Sequence, residues 1–246
     1  MTVADYALRL GDDCLILGQR LSEWAARAPE LEEDVALLNI ALDQLGAARS
    51  LLTYAGSFTG KDEDQLAFLR AEREFTNALV MELDNGDFGT TMARQLVVAA
   101  YQLPLWQTLV SSQDELLAGV AGKAVKEVAY HLDHASSWVI RLGDGTEESH
   151  RRMQAGLDSV WPYAFELFET DALVAELVAA GVAADPAALR PTWESTMSTV
   201  IAEATLTTPE SDWRPTGGRS GKHTEPFGYL LAEMQHLHRS HPGATW

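Results

Sequence analysis

Glu127, His131 and His134 stand on the stretch "VKEVAYHLDHASSW", Val125 to Trp138, which otherwise carries the apolar period of a helix. At about 100° per residue their side chains fall within roughly 60° of one another, so one carboxylate and two imidazoles can face a common point. That is half of what a carboxylate-bridged di-iron centre needs, since such bundles draw a Glu from each of two helices and a Glu-x-x-His pair from each of the other two. The spacing departs from this pattern, because His131 stands where a Glu would precede His134. A second helical segment offers Asp43, but three residues on stands Gly46, which has no side chain to bind anything. From Phe88 to Gln113 there is no Asp, Glu or His at all. A di-metal site built from these helices therefore lacks ligands.

Glu72 falls between Phe68 and Phe75 on an apolar stripe, which predicts a carboxylate carried toward the interior. A buried carboxylate needs a cation, a hydrogen-bond donor or a metal, and Arg94, Lys123 and His131 are the candidates. An internal ion pair is favoured over a metal, because metal sites need several convergent ligands. His131 and His134 lie beside the stripe of Val128, Leu132 and Ala135, where packed, hydrogen-bonded histidines are the expectation. Glu23, flanked at helical spacing by Arg20 and Arg27, reads as part of a solvent-facing ion-pair row.

The elements that must position these groups are all helical. Leu10, Cys14, Leu17, Leu21 and Trp24 form a first stripe that ends at "ARAPE". Leu31, Val35, Leu38, Leu42, Leu45 and Leu52 repeat at steps of four and three along a second, interrupted by Arg49. Phe68, Phe75 and Leu79 predict a third helix, ending before the turn "LDNGD". Met92 to Val110 predicts a fourth, kinked at Pro104, and Ala121 to Leu142 a fifth. Four long amphipathic helices, with the extra one in a crossover, predict an all-α bundle over about residues 4–143. Shorter helices and a loop follow over 144–246, and Thr224 is placed to cap a last helix carrying Phe227, Leu230, Leu231 and Met234. No internal linker or repeat divides the 246 residues, so a single domain is expected.

Lys and Arg number 18 against 36 Asp and Glu, and the net charge of -18 excludes a nucleic-acid or anionic-lipid partner for the chain as a whole. Cys14 is the single cysteine, which excludes an internal disulfide and fits a reducing compartment. No membrane span and no signal peptide is read, so a cytoplasmic location is the expectation. Against this acidic background the loop "RPTGGRSGKH" gathers Arg214, Arg219, Lys222 and His223 around glycines, a composition suited to an anionic group or an acidic partner surface. A solvated loop is the alternative.

Taken in order, "LGDDCLILGQRLSEW", "APELEEDVALLNIALDQLGAARSLLTYA", "EDQLAFLRAEREFTN", "KEVAYHLDHASSWVIRLGDGTEESHRRMQ", "EATLTTPES", "RPTGGRSGKHTE" and "LAEMQHLHR" resemble the structural C subunit of bacterial ring 1,2-phenylacetyl-CoA epoxidases, over almost the whole chain. Pro215 departs from the "RTGGKxGxHTE" pattern of that loop. The resemblance implies a ferritin-like fold and a scaffold role beside a homologous catalytic subunit that carries the di-iron site. It also implies partnership with the other epoxidase subunits and an NADPH-dependent reductase, in a complex that epoxidises the ring using O₂. No catalytic residue and no cofactor is then expected in this chain, and Asp43, Glu72, Glu127, His131 and His134 become remnants of a degenerate site. The competing readings are a metal-binding ferritin-like oxidase with an incomplete site and a helical module that binds CoA or another anion through Arg214, Arg219 and Lys222. A homodimer of the isolated chain stays open. Trp161, Tyr163, Trp193, Trp213 and Trp246 are the aromatics considered for a contact between subunits.

Overall fold

The computed structural model describes residues 2–244. Among them are ten α-helices and no strand: α1 (Val3–Ser22), α2 (Leu31–Ser57), α3 (Glu63–Phe68), α4 (Leu79–Glu82), α5 (Phe88–Leu109), α6 (Glu115–Gly143), α7 (Glu147–Val160), α8 (Ala172–Ala179), α9 (Pro186–Glu203) and α10 (Glu225–Ser240). Several starts are fixed by short acidic side chains. Asp87, Asp114, Asp171 and Asp185 each accept a backbone N–H in the first turn of α5, α6, α8 and α9. Part of the chain's acidity thus satisfies orphan donors at the positive ends of helices.

The helices fall into two compact units, residues 2–84 with 216–244, and residues 85–215. In the first, α1 and α2 run antiparallel. A Cβ on Gly11 would meet Leu51 and Leu52, and one on Gly18 would meet Ala41 and Leu45. With α4 and α10 also against it, α1 is buried nearly all round, and Asp12 and Asp13 go inside with Leu10, Cys14 and Leu17. The last helix therefore packs against the N-terminal elements. Phe227, Leu230 and Leu231 are buried as the pattern predicts, while Met234 is half-buried.

Two sequence expectations fail here. The predicted third helix is broken into α3, a 3₁₀ turn at Glu72–Glu74, an extended stretch and α4. The cause is tertiary: the Thr76 and Ala78 N–H groups donate to the Asp12 and Asp13 carboxylates at 2.9 and 2.8 Å instead of to helical carbonyls. On α2 the predicted stripe meets the core only toward its end, where Leu52 is buried and Leu45 lies against Gly18. Leu37, Ile40, Ala41, Gln44, Ala48 and Leu51 are buried, whereas Leu31, Val35 and Leu42 are exposed. This helix is also long and apolar enough, by length and composition, to cross a membrane, which no stretch was expected to be.

In the second unit α5 is the centre, with α6, α7 and α9 packed on it. The helix continues through Pro104. Trp193 donates its indole N–H to the Val97 carbonyl at 3.0 Å and packs against Trp161 and Phe168. Trp161 and Trp193 are thus core residues, Tyr163 is half-buried and Trp213 is exposed; Trp246 lies outside the described residues.

Candidate functional site

The chemistry-bearing groups that converge are not the ones the spacing singled out. In the first unit three buried carboxylates, Asp12, Asp13 and Glu82, line up with three cationic side chains, Arg70, Arg219 and His223. Consecutive residues of α1 point about 100° apart, so Asp12 and Asp13 serve different neighbours. Asp12 takes a two-pronged contact from the Arg70 guanidinium, with Nη1 at 3.0 Å, and accepts from both the N–H and the hydroxyl of Thr76. Arg70 also donates to the Glu74 carbonyl and lies 4.0 Å from the Phe75 ring centre. Asp13 receives both arms of Arg219 at 2.8 Å. Burial pushes its carboxyl above the usual range in spite of that guanidinium. Burial, and then the charge of Asp13, pushes the Cys14 thiol up as well and keeps it an inert thiol.

Glu82 closes the network. One oxygen lies 2.7 Å from His223 Nδ1 and 2.8 Å from Asn77 Nδ2, and the other accepts the Thr224 N–H at 2.6 Å. Thr224 is the residue before α10, but its backbone, not its hydroxyl, makes this contact. The other ring nitrogen of His223 faces the Phe75 carbonyl at 3.1 Å, and its ring stacks on Phe227. Both nitrogens therefore meet acceptors, which only the doubly protonated imidazolium satisfies. Burial disfavours that charge, but the hydrogen bond and charge of Glu82, the Phe75 carbonyl and the charge of Glu72 outweigh it and hold the pKa above its ordinary value of 6.5. A raised pKa stabilises the folded state below pH 6.5, and the contribution is lost as pH rises through the folded value. The urea midpoint is expected to fall between pH 6 and pH 9, and His223→Gln is expected to remove part of that slope; an unchanged slope in the variant would count against the imidazolium.

The loop that delivers Arg219 and His223 depends on glycine. Gly221 has φ +73°, and a Cβ on it would lie 2.3 Å from the Arg73 carbonyl; one on Gly218 would lie 2.2 Å from the Asn77 carbonyl. Basic composition thus turns inward: Arg219 and His223 are spent on Asp13 and Glu82, while Lys222 stays exposed. Arg214 belongs to the second unit, exposed and 3.6 Å over the Phe165 ring. Arg219 and His223 are therefore turned away from any external anion.

The other sequence candidates are separated too. Glu72 is exposed on the 3₁₀ turn, not carried to the interior. Asp43 is half-buried on α2. Glu127 pairs with Lys123 at 3.1 Å one turn away on α6, and Arg94 donates to the Asn85 side chain at 2.6 Å. His131 and His134 are both buried, with the Tyr130 ring beside each. Among the described residues no group of three or more His, Cys, Asp or Glu is placed to hold a metal ion. Arg20 is buried rather than solvent-facing; it donates to the Glu82 carbonyl and pairs with Glu23 and Asp84. The sequence signal for the true network was available: Asp12 and Asp13 sit inside "RLGDDCLIL" and Glu82 inside "LVMELD", charges hemmed by apolar residues on both sides.

The comparisons agree with this architecture. The family model described as "Phenylacetic acid catabolic protein" matches residues 1–246. The C subunit of the 1,2-phenylacetyl-CoA epoxidase of Escherichia coli (strain K12) is 48% identical over 242 residues, covering 98% of each chain. The fold is all-α and ferritin-like, as that family's is. With the match running the full length of its helices, the chain belongs to the phenylacetic acid catabolic protein family.

Proposed function

We propose that this chain is the non-catalytic subunit that pairs with a homologous di-iron oxygenase subunit in a phenylacetyl-CoA epoxidase of aerobic phenylacetate breakdown. It stabilises that subunit and helps to form the surface where an electron-transferring reductase docks. The complex, in the cytoplasm, epoxidises the aromatic ring with O₂ and electrons from NADPH, and this chain supplies no ligand to the metal. The named relative supports the reaction.

The observation that carries the scaffold role is the state of the buried carboxylates. Bridging a di-iron centre needs ionised carboxylates turned toward the cations, and Asp12, Asp13 and Glu82 are saturated by Arg70, Arg219 and His223. Helix α5 offers no ligand type along its length, and Glu72 and Glu127 are turned to solvent and to Lys123. The donor set does not fit the group, so no step is routed through a metal in this chain.

Anaerobic iron reconstitution is expected to leave both the purified chain and a Glu127→Ala, His131→Ala variant well below one iron per chain. Stoichiometric iron that the variant loses would overturn the scaffold reading. Ring epoxidation is expected only when the chain is mixed with the catalytic subunit and reductase.

A further inference from the structure

Asn85 is the one asparagine of the chain that is followed by glycine, and the pair forms the turn ahead of α5. Gly86 is exposed at φ +57°, and among the described residues its N–H makes no hydrogen bond. The Asn85 side-chain oxygen accepts from Arg94 Nη2 at 2.6 Å, and its backbone oxygen accepts from the Thr91 hydroxyl at 2.9 Å. Arg94 is 1% exposed, so its charge acts with little screening by water. All four residues belong to the second unit. A guanidinium held on an amide oxygen stands where negative charge would develop if a nucleophile attacked that amide carbon. The nearest nucleophile is the next backbone nitrogen, and glycine leaves its approach unhindered by a β-carbon.

We propose that Asn85 is a site of self-modification, converted to aspartate through attack by the Gly86 nitrogen, with Arg94 stabilising the oxyanion. The Gly86 nitrogen gives up its proton to hydroxide and bonds to Asn85 Cγ, and the charge gathers on Oδ1 beside the guanidinium. The Cγ–Nδ2 bond then breaks, and the nitrogen leaves as ammonia. Water adds to the cyclic imide and opens it, so the overall change is amide plus water to acid plus ammonia. Two carbonyls of the imide can take that water: attack at Cγ gives an ordinary aspartate, and attack at the backbone carbon gives isoaspartate. The donor at the first is the charged Arg94 and at the second the neutral Thr91 hydroxyl, and charge-assisted hydrogen bonds are roughly twice as strong. Aspartate is therefore the main product. Its carboxylate keeps the contact with Arg94 as an ion pair, so the fold accepts the change.

The test incubates the full chain, folded and in urea at the same pH, and follows residue 85 by mass spectrometry of digested peptides, with aspartate and isoaspartate separated. Conversion is expected to be at least about tenfold faster in the folded chain, a modest share of what one preorganised oxyanion donor supplies. Arg94→Lys is expected to keep part of that gain and Arg94→Met to lose it, with isoaspartate rising as aspartate falls. Should the methionine variant fail to fold, the ratio of the folded parent to the parent in urea still decides. An equal or slower rate in the folded chain would overturn the proposal, and so would isoaspartate as its main product. Asn85→Asp is expected to melt no lower than the parent, and a clear drop would show that the turn is not built to hold the acid.

Discussion

Glu82→Ala is expected to destabilise the first unit by about 3–5 kcal/mol, the cost of removing one partner from a buried ion pair. The side chain has no exposed surface, and neither has that of His223. Truncation would strand an imidazolium, the Asn77 amide and the Thr224 N–H together, and each loses a partner that water cannot replace. Glu82→Gln keeps the shape and part of the hydrogen bonding, so a smaller loss is expected. Urea unfolding followed by circular dichroism measures the difference, and hydrogen exchange at Gly218–Thr224 should rise in step. A cost below about 1 kcal/mol for the alanine variant, the level of an exposed pair, would show that the pair is not buried in solution.

The Asp12–Arg70 pair gives the second large effect. Their side chains are 0% and 5% exposed, and the guanidinium also holds the Glu74 carbonyl. Asp12→Leu and Arg70→Met are each expected to cost about 3–5 kcal/mol, because each leaves the opposite charge buried and alone. The double variant Asp12→Leu, Arg70→Met removes both charges and is expected to cost less than the sum by about 2–3 kcal/mol, the size of coupling seen between directly interacting groups. Recovery stays incomplete, since the Thr76 N–H and hydroxyl still lose their acceptor. Additive costs would mean that the two side chains act independently.

The all-α class is legible because every long segment repeats its apolar residues with the helical period, a local property. What is not legible has partners far away along the chain. Between Phe68 and Leu79 the apolar spacing fits a helix, yet α1 supplies acceptors for Thr76 and Ala78 from 64 and 65 positions upstream and the helix breaks. Glu72 is misplaced for the same reason. On α2 two apolar faces compete, and the more regular row of leucines is the outward one. The loop shows its charge in its composition, but its inward turn depends on Asp13, 206 residues away. That α5 carries no Asp, Glu or His, by contrast, is plain from sequence, since it is a fact of residue type alone.

The return of α10 to the N-terminal helices has a consequence for how the protein is made. Residues 85–215 are an insertion within the first unit, so that unit is begun first and completed last. Asp13 leaves the ribosome 206 residues ahead of Arg219, which at about 5–20 residues per second is a wait of roughly 10–40 s. The second unit's sequence is completed just before that wait ends, while Asp13 and Glu82 still await their cations. A nascent chain stalled before Gly218 carries every residue of one unit and an unsealed other, and release of the last 30 or so residues, about an eighth of the chain, seals the beginning of the protein with its end.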